Sequence, residues 1–579
     1  METVKLIIDG REVAAPKGAT VLEAARLVGI DIPTLCYHPE LDVRANCRVC
    51  LVEVEGSRTL QASCALPVSE GMKVHTNTPM AREARKMAVE LLLANHPQDC
   101  LNCVRNQNCE LQRLAERMGI RENRFTLKDR AKYVKDTSTP SIVRDPAKCV
   151  LCRRCVAVCE KVQGVGVLFP INRGIETMVV PACGKDLAEV ACTLCGQCIH
   201  VCPVGAIYER DDTGRVWEAL ADPGKHVVVQ TAPAIRVSIG EEMGLPPGSV
   251  STGQLVAALR RLGFDRVFDT DFTADLTIME EGNELLTRLG KGGPLPLITS
   301  CSPGWIKFIE HYYPDLLPHL STCKSPQQMF GSLVKTYYAE KTGIDPKDIF
   351  SVSIMPCTAK KFEAQREEMR ASGYQDVDVA LTTRELARMI REAGINFKDL
   401  EAEKYDDPFG ITTGAGLIFG ATGGVAEAAL RTVYELVTGK ELPKIDFHEV
   451  RGLEGIKEAT VDLNGTKVKV AVAHGLGNAR KVLDRVKAGT AAYQFIEIMA
   501  CPGGCIGGGG QPIPTDLERR MARIKAIYEA DAGMPLRKSH ENPAVKTLYQ
   551  EYLGAPLGEK SHHLLHTHYV ARGKYPKKG

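Results

Sequence analysis

The sequence has little net charge and no long apolar run. Its 579 residues carry 73 lysines and arginines against 71 aspartates and glutamates, a formal net charge of +2, so it lacks the basic field that nucleic acid binding requires. No segment approaches the roughly 18 consecutive apolar residues of a membrane span. The N-terminus, METVKLIIDGREV, predicts a strand, a turn and a second strand rather than an export signal. We therefore expect a cytoplasmic protein that binds neither nucleic acid nor membrane.

Cysteine is the residue that the sequence has in excess. The chain contains 21 cysteines, which fall in tight groups. They do not form the even set that a disulfide framework gives a short secreted chain. Thiolates grouped at CxxC spacing are typical of iron-sulfur clusters and of zinc sites.

The sequence pattern divides the chain into four regions. Residues 1–79 alternate short apolar runs with turns around one helix at Val21–Leu27, which predicts a small mixed domain. Residues 80–140 begin with a helical stretch that stops before a proline, and residues 141–210 contain an internal repeat. In residues 224–579, apolar strands alternate with amphipathic helices, which favours a large α/β domain.

The internal repeat consists of two similar cysteine runs: Cys149, Cys152, Cys155 and Cys159, then Cys192, Cys195, Cys198 and Cys202. In two-cluster ferredoxins the fourth cysteine of each run ligates the other cluster. We therefore expect Cys202 to complete the first 4Fe-4S cluster and Cys159 to complete the second. Zinc is the alternative for CxxC pairs, but eight cysteines in this order favour clusters.

Two further ligand groups precede the repeat. The first consists of Cys36, Cys47, Cys50 and Cys64. Four thiolates suit zinc or a cluster, and the neighbouring ferredoxin modules favour a 2Fe-2S cluster. The second consists of His96, Cys100, Cys103 and Cys109. It suits zinc or a 4Fe-4S cluster with one imidazole ligand, whose neutrality would raise the cluster's reduction potential. The four groups predict one 2Fe-2S and three 4Fe-4S clusters.

Three predicted strands of the last region run directly into cysteines. The strands are Pro296–Thr299, Phe350–Met355 and Phe495–Met499, and they lead to Cys301, Cys357 and Cys501. In open α/β sheets, ligands gather at the carboxyl ends of the strands. We therefore expect the three cysteines to meet in one buried site.

The sequences around these cysteines resemble the three signature loops of iron-only (FeFe) hydrogenases. They read TSCSPGW at 299–305, MPCTAKKFE at 355–363 and EIMACPGGC at 497–505. The three N-terminal modules resemble those of the same family in the same order. The resemblance implies α+β ferredoxin-like modules followed by a large α/β H-cluster domain. It also implies an oxidoreductase of anaerobic hydrogen metabolism, which interconverts H2 with protons and electrons.

The resemblance further implies an H-cluster, a 4Fe-4S cubane joined through a cysteine sulfur to a di-iron unit with carbonyl, cyanide and dithiolate ligands. Cys357, Cys501 and Cys505 would bind the cubane, with Cys505 as the bridge. The other contacts that it implies are Lys360 at one cyanide, Ala232 and Pro233 at the other, and Met355 and Met499 against the di-iron unit. The glycines at 503, 504 and 507–510 would let the backbone approach the cluster closely.

A proton route is the next feature that the resemblance implies. Glu281, Glu284 and Arg288 stand at i, i+3 and i+7, which predicts one face of a helix. Together with Cys301 and Ser321 they match the proton relay of the family. The alternative for these charged residues is an ordinary solvated helix face.

One position departs from the family, which has two adjacent cysteines in the first loop. Here Cys301 is followed by Ser302. Strict alignment makes Cys301 the relay thiol and puts a serine at the ligand position, although an alkoxide is a harder ligand than iron-sulfur iron prefers. Either Ser302 or a shifted Cys301 completes the cubane.

The resemblance leaves two kinds of electron partner. The chain exchanges electrons with ferredoxin alone, or it is the catalytic subunit of a larger NAD(P)-linked, bifurcating complex with flavoprotein and small iron-sulfur subunits. The Cys-Ser loop and the 2Fe-2S module favour the complex, and maturation enzymes would supply the di-iron unit. The rival functions are an electron-input subunit like those of complex I and NAD-linked formate dehydrogenases, and a non-enzymatic iron-sulfur assembly factor.

Several residues remain outside these sites. We expect Cys183 and Cys323 to be small buried apolar residues. The histidines at 562, 563, 566 and 568 predict a solvated tail rather than a metal site.

Overall fold

The computed structural model describes residues 2–125, 133–463 and 465–574. The first domain is a five-stranded sheet with the order β2-β1-β5-β3-β4. Its strands are β1 (Thr3–Ile8), β2 (Arg11–Pro16), β3 (Leu51–Val54), β4 (Gln61–Ala62) and β5 (Lys73–His75). Helix α1 spans Val21–Leu27, as predicted, because Thr20 and Glu23 form a reciprocal capping box at its N-terminus.

Two helices carry the second ligand group. Helix α2 (Pro79–Ala94) begins at a threonine cap with proline in its first turn and ends before His96 and Pro97, so the helical stretch predicted to stop before a proline is present. Helix α3 (Glu110–Arg117) begins directly after Cys109. The ligand group therefore lies in the loop between the two helices.

The repeat region is held together by two short antiparallel ladders, β6 with β9 and β7 with β8. Its elements are β6 (Ile142–Arg144), α4 (Arg154–Ala157), β7 (Leu168–Ile171), β8 (Met178–Pro181), α5 (Gln197–Val201) and β9 (Ile207–Glu209). Because β6 precedes the first cysteine run and β9 follows the second, their pairing brings the two runs together.

The last region contains two four-stranded sheets, with the orders β11-β10-β13-β14 and β12-β17-β16-β15. The strands are β10 (His226–Thr231), β11 (Arg266–Asp269), β12 (Leu297–Ile298), β13 (Ile349–Met355), β14 (Val379–Thr382), β15 (Ile456–Leu463), β16 (Thr466–His474) and β17 (Phe495–Met499). The first sheet is wholly parallel, and in the second only β15 runs antiparallel to its neighbour. The predicted α/β class is confirmed, and its strands divide into two sheets.

Helices cover both sheets. They are α6 (Thr213–Ala221), α7 (Ile239–Glu242), α8 (Thr252–Leu262), α9 (Thr270–Lys291), α10 (Pro303–Tyr312), α11 (Pro326–Leu333), α12 (Ala339–Thr342), α13 (Ala359–Glu363), α14 (Thr383–Glu392), α15 (Gly414–Leu417), α16 (Gly424–Thr438), α17 (Leu476–Lys487), α18 (Leu517–Ala532), α19 (Pro543–Leu548) and α20 (Glu559–Leu565). Within the described residues, no helix is long and apolar enough to cross a membrane.

A buried ion pair fastens the repeat region to the last region. Arg384 on α14 donates to Glu209 Oε2 at the end of β9, at 2.7 Å, and to the Gly509 carbonyl at 2.9 Å. Arg388 also contacts Glu209, at 3.1 Å. Burial would raise the pKa of Glu209, but the two guanidinium groups outweigh burial and hold it far below its usual range. The carboxylate therefore stays ionised inside the interface.

Candidate active site and cluster ligands

The first ligand group is assembled in the structure. Hydrogen bonds from the thiols of Cys47 and Cys64 lower the pKa of Cys36, and a hydrogen bond from Cys64 lowers that of Cys50 to about 6. The same contacts raise the pKa values of Cys47 and Cys64. The thiols are therefore linked in pairs, Cys36 with Cys47 and with Cys64, and Cys50 with Cys64. This arrangement suits four ligands of one small cluster.

The second group lines one cavity in the loop between α2 and α3, together with Gly205. The ligand residues around it are His96, Cys100, Cys103 and Cys109. A Cβ atom at position 205 would lie 2.6 Å from Cys103 Sγ, so glycine is needed for the repeat region to approach this loop.

The eight cysteines of the repeat line two separate cavities of about 430 Å³ each. One is lined by Cys149, Cys152, Cys155 and Cys202. The other is lined by Cys159, Cys192, Cys195 and Cys198. The fourth cysteine of each run has crossed to the other cavity, which is the arrangement that the ferredoxin pattern predicts.

The loops after β10, β12, β13 and β17 surround one further cavity, of about 670 Å³, with mostly apolar walls. The predicted residues that line it are Ala232, Pro233, Cys301, Ser302, Met355, Cys357, Lys360, Met499, Cys501 and Cys505. Burial raises the pKa of Cys357, Cys501 and Cys505, and thiolate neighbours raise those of Cys501 and Cys505 further. A cationic iron centre would relieve this repulsion between buried thiolates.

The glycine-rich loop after β17 is packed against protein backbone. A Cβ atom would lie 2.1 Å from the Pro356 carbonyl oxygen at Gly508, and 2.4 Å from the Cys195 carbonyl oxygen at Gly509. At Gly504, where φ is +89°, it would meet the Thr422 nitrogen at 2.8 Å. These glycines allow close approach between the loops, and their approach to a cluster stays a prediction.

Lys360 is held by acceptors that the sequence did not reveal. Its Nζ donates to Glu363 Oε2 at 2.8 Å and to the Cys301 carbonyl at 3.1 Å. Glu363 also accepts from Ser325 at 2.8 Å and from Gln327 at 3.0 Å. Glu363 stands three residues after Lys360 on α13, and this i, i+3 spacing was the available signal.

The proposed relay residues form a continuous chain along α9. Arg288 Nη2 contacts Glu284 Oε1 at 2.6 Å, and Ser321 Oγ donates to Glu284 Oε2 at 2.9 Å. Ser321 also lies beside Glu281, whose pKa is raised to about 8 by burial and by the nearby Glu284 carboxylate. Burial and the charge of Glu281 raise the pKa of Cys301. The structure thus brings all five residues together, from the buried cavity to the half-buried Arg288.

Cys301 and Ser302 face different neighbours. The charged groups that act most strongly on the pKa of Cys301 are Glu281, Cys505 and Lys360. Ser302 lies at the N-terminus of α10, and its Oγ accepts from the backbone nitrogen of Ala500 at 3.3 Å. Both residues line the cavity, but Cys301 is the one beside the glutamate chain.

The loops of the last accessory site touch those of the catalytic cavity. Thr358 Oγ1 donates to the Leu194 carbonyl at 2.7 Å, and Gln197 Nε2 donates to the Gly507 carbonyl at 2.9 Å. Cys501 Sγ lies 3.9 Å from the Cys195 carbonyl oxygen. Ligand residues of the two sites are therefore in direct contact.

Two predictions about residues outside the sites are corrected. Cys183 is exposed, in a turn where its own φ is 57°, whereas Cys323 is fully buried as expected. His566 is buried rather than solvated, because its imidazole lies 3.1 Å from Glu280 Oε2 and 2.8 Å from Thr322 Oγ1. The other three histidines of the tail are exposed, as predicted.

The residues present fit the expected cofactors. Each accessory cavity offers thiolates, or thiolates and one imidazole, which are the donors that iron-sulfur clusters accept. The catalytic cavity combines four cysteines with apolar and methionine walls and a single buried ammonium from Lys360. Such a cavity suits a cubane beside a di-iron unit with anionic cyanide ligands.

Comparisons with protein families agree with these expected cofactors. Residues 225–509 match the iron-only hydrogenase large subunit, C-terminal domain, and residues 517–572 match the iron hydrogenase small subunit. Residues 1–79 match a 2Fe-2S iron-sulfur cluster binding domain, and residues 189–208 match a 4Fe-4S binding domain. Residues 85–124 match the NADH-ubiquinone oxidoreductase-G iron-sulfur binding region.

Individual relatives are similar over nearly the whole chain. The NADP-reducing hydrogenase subunit HndD of Solidesulfovibrio fructosivorans is 53% identical over 584 residues, covering 99% of this chain and 100% of the relative. Iron hydrogenase 1 of Clostridium pasteurianum is 43% identical over 571 residues, covering 97% and 99%. A solved structure of the FeFe hydrogenase HydA1 from Chlamydomonas reinhardtii covers 62% of this chain and 99% of its own, with 48% identity and a TM-score of 0.57. The chain therefore belongs to the iron-only (FeFe) hydrogenases, enzymes that interconvert molecular hydrogen with protons and electrons.

Proposed function

We propose that the chain is the hydrogen-activating subunit of an NAD(P)-linked complex, with one 2Fe-2S cluster, three 4Fe-4S clusters and an H-cluster. The contact between the Cys195 loop and the loops of Cys501 and Gly509 carries this proposal. It joins a chain of accessory ligand groups directly to the catalytic cavity. The four regions, 1–79, 80–140, 141–210 and 224–579, would then be three electron-transfer modules and one catalytic domain.

The accessory groups form a fork rather than a single line. Asn46, beside Cys47, donates to the Cys152 carbonyl at 3.3 Å, and Arg105 donates to the Cys202 carbonyl at 3.4 Å. Both N-terminal groups therefore adjoin the cluster of Cys149, Cys152, Cys155 and Cys202. We assign that cluster as the junction from which electrons pass to the Cys159, Cys192, Cys195 and Cys198 cluster, and then to the catalytic cavity.

When bound, the H-cluster supplies an open iron position and a nearby amine base at which H2 is split. Cys357, Cys501 and Cys505 would hold its cubane. Lys360, fixed by Glu363, would donate to one cyanide, and the backbone at Ala232 and Pro233 would border the other. Met355 and Met499 close the cavity with polarizable, apolar walls that keep water out.

The proton leaves through the side chains beside this cavity. Cys301 receives it and passes it to Glu281, whose raised pKa of about 8 keeps that carboxyl protonated at neutral pH. A protonated Glu281 can donate to Ser321, whose hydroxyl already donates to Glu284. Arg288 stabilises the Glu284 carboxylate at the outer end. Protons for H2 formation take the reverse route.

We assign Cys301 as the relay thiol and Ser302 as the residue at the fourth cubane position. Cys301 is beside Glu281, whereas Ser302 lies at the N-terminus of α10 against Ala500. Cys301→Ala should keep the iron and the spectrum of the H-cluster but lose turnover. Ser302→Cys should keep turnover and change the electronic spectrum of the cubane. Loss of the cubane in Cys301→Ala would identify Cys301 as the ligand instead.

The partners follow from the fork. Two surface modules suit two electron partners, and the relative named as an NADP-reducing hydrogenase subunit supports flavoprotein, NAD(P)-binding and small iron-sulfur subunits beside ferredoxin. Maturation enzymes would insert the di-iron unit, and the complex would work in the cytoplasm. Purification from the native cell tests this, because flavoprotein subunits should co-elute with the chain.

Hydrogen-dependent reduction of a viologen dye by the matured chain tests the enzymatic proposal. Activity is expected after di-iron insertion and not before. No activity after verified insertion would favour the rival assembly-factor function.

A further inference from the structure

Lys307 on α10 is a buried cation beside the last accessory site. Its side chain is 8% exposed, and its Nζ donates to the carbonyl oxygen of Cys192 at 2.7 Å. Its other polar neighbour is His311 Nε2, at 3.3 Å, and the ring of Phe362 lies 5.4 Å away. The ammonium group therefore points at a ligand residue of the proposed cluster.

No carboxylate among the described residues forms an ion pair with Lys307. The adjacent Glu310 is fully buried, but Arg366 and Arg572 contact its two oxygens at 2.5 and 2.7 Å. A buried ammonium without a counter-charge is strongly disfavoured. Something anionic must stabilise Lys307 in the assembled protein.

A 4Fe-4S cluster with four thiolate ligands is such an anion, and it gains a further negative charge on reduction. We propose that the ammonium of Lys307 is the counter-charge of the cluster held by Cys159, Cys192, Cys195 and Cys198, and that it raises the reduction potential of this cluster. The inference rests on the cluster assignment made above. Lys307 is a positioning residue that acts through the field it applies at Cys192.

The cations beside the neighbouring cluster are different. Arg154, near Cys152, forms two hydrogen bonds with Glu110 at 2.7 and 2.9 Å. Arg144, which lines both cluster cavities and lies near Cys149 and Cys192, has Asp136 at 3.5 Å. Each of these charges is largely cancelled by its own partner. Lys307 therefore applies an uncompensated field, and it does so at the cluster nearest to the catalytic cavity.

The C-terminal segment holds this lysine in position. His311 Nδ1 donates to the Gly573 carbonyl at 2.8 Å, which leaves the lone pair of Nε2 facing Lys307. The backbone nitrogen of Arg572 donates to the Glu310 carbonyl at 2.7 Å. The segment thus fixes the imidazole that accepts from the ammonium.

The test is an EPR-monitored redox titration of the full chain carrying its clusters. In Lys307→Met, the reduction equilibrium of one 4Fe-4S component should become at least tenfold less favourable. For a one-electron couple this lowers its reduction potential by about 59 mV or more. Lys307→Gln should shift the same component, because it keeps a donor but no charge. Lys307→Arg should keep the wild-type potential.

Lys487→Met is the matched control, since Lys487 is exposed and paired with Asp315 at 3.0 Å. It should move no component. If no 4Fe-4S potential shifts in either Lys307→Met or Lys307→Gln, the inference is overturned. An equal shift in Lys307→Arg would also overturn it, because it would indicate an effect of packing rather than of charge. If the wild-type chain lacks the third 4Fe-4S signal, the cluster assignment itself fails.

Discussion

The N-terminal and C-terminal halves hold their ligands in opposite ways. In residues 2–210 every ligand group comes from one short stretch of chain or from two runs of one repeat, and loops wrap each site. In the C-terminal half Cys357 and Cys501 follow strands of two different sheets. The accessory sites are therefore set by local spacing, whereas the catalytic cavity exists only when both sheets are in place.

The two halves also differ in how they treat charge. Beside the cavity of Cys149, Cys152, Cys155 and Cys202, two arginines have carboxylate partners: Arg144 with Asp136, and Arg154 with Glu110. The catalytic cavity has one ammonium, from Lys360, and the acidic residues of the proposed relay, Glu281 and Glu284, lie outside its lining. Electrons need fixed cluster positions, while protons need a connected set of titratable groups.

The sharpest way to break this comparison is to remove one ligand from each half. Cys505→Ala should abolish H2 turnover and di-iron binding while the N-terminal clusters remain. Cys103→Ala should lose one 4Fe-4S signal and keep hydrogen-deuterium exchange at the catalytic site, because exchange needs no net electron transfer. EPR and isotope exchange on both variants measure this. Loss of exchange in Cys103→Ala would mean that the halves do not assemble independently.

The relay should respond next most strongly. Glu284→Gln removes the carboxylate between Ser321 and Arg288 and should lower turnover by about 10²- to 10⁴-fold, with normal iron content. Glu280→Gln is the matched control, because Glu280 is a buried neighbour on the same helix that contacts Tyr549 and His566 instead. Equal losses of turnover in the two variants would contradict the relay.

A pH profile of H2 evolution tests the same relay and should show a smaller effect. Because the pKa of Glu281 is raised to about 8, this carboxyl holds its proton below that pH and loses it above. H2 evolution should therefore fall as pH rises through about 8, with the driving force held constant relative to the hydrogen potential. Glu281→Gln should be slow at every pH and lack this inflection. A wild-type inflection that survives in the variant would assign it to another group.

The smallest expected effect concerns the contact between the halves. Glu209→Gln leaves the buried guanidinium group of Arg384 without its carboxylate and removes one of the two carboxylate partners of the partly exposed Arg388. It should cost about 3 kcal/mol of stability. Because the folded-state pKa of Glu209 is depressed, the stabilisation that the ion pair gives is fully present above the usual glutamate pKa near 4.5. It is lost progressively as pH falls below that value toward the folded-state pKa. Denaturant midpoints at pH 7 and pH 4 should differ less in the variant than in the wild type.

Much of the lining of the candidate site could be predicted because the loops around Cys301, Cys357 and Cys501 resemble the signature loops of a known family. Met355, Lys360 and Met499 stand next to cysteines at the ends of strands that apolar runs reveal. The partition into two sheets could not be predicted, since strand pairing depends on contacts distant in sequence. Glu363 was missed because a charged residue three positions from a lysine is typical of any solvated helix face. His566 was misassigned because neighbouring exposed histidines hid its pairing with Glu280.

Arg384 binds both Glu209 and the Gly509 carbonyl, and these contacts affect how electrons move within the protein. The same guanidinium group holds a strand of the ferredoxin region and the glycine loop after Cys505. The electron carrier next to the catalytic cavity therefore cannot swing toward it as a tethered shuttle. Internal electron transfer should be independent of solvent viscosity, so that sucrose or glycerol slows only the encounter with external partners.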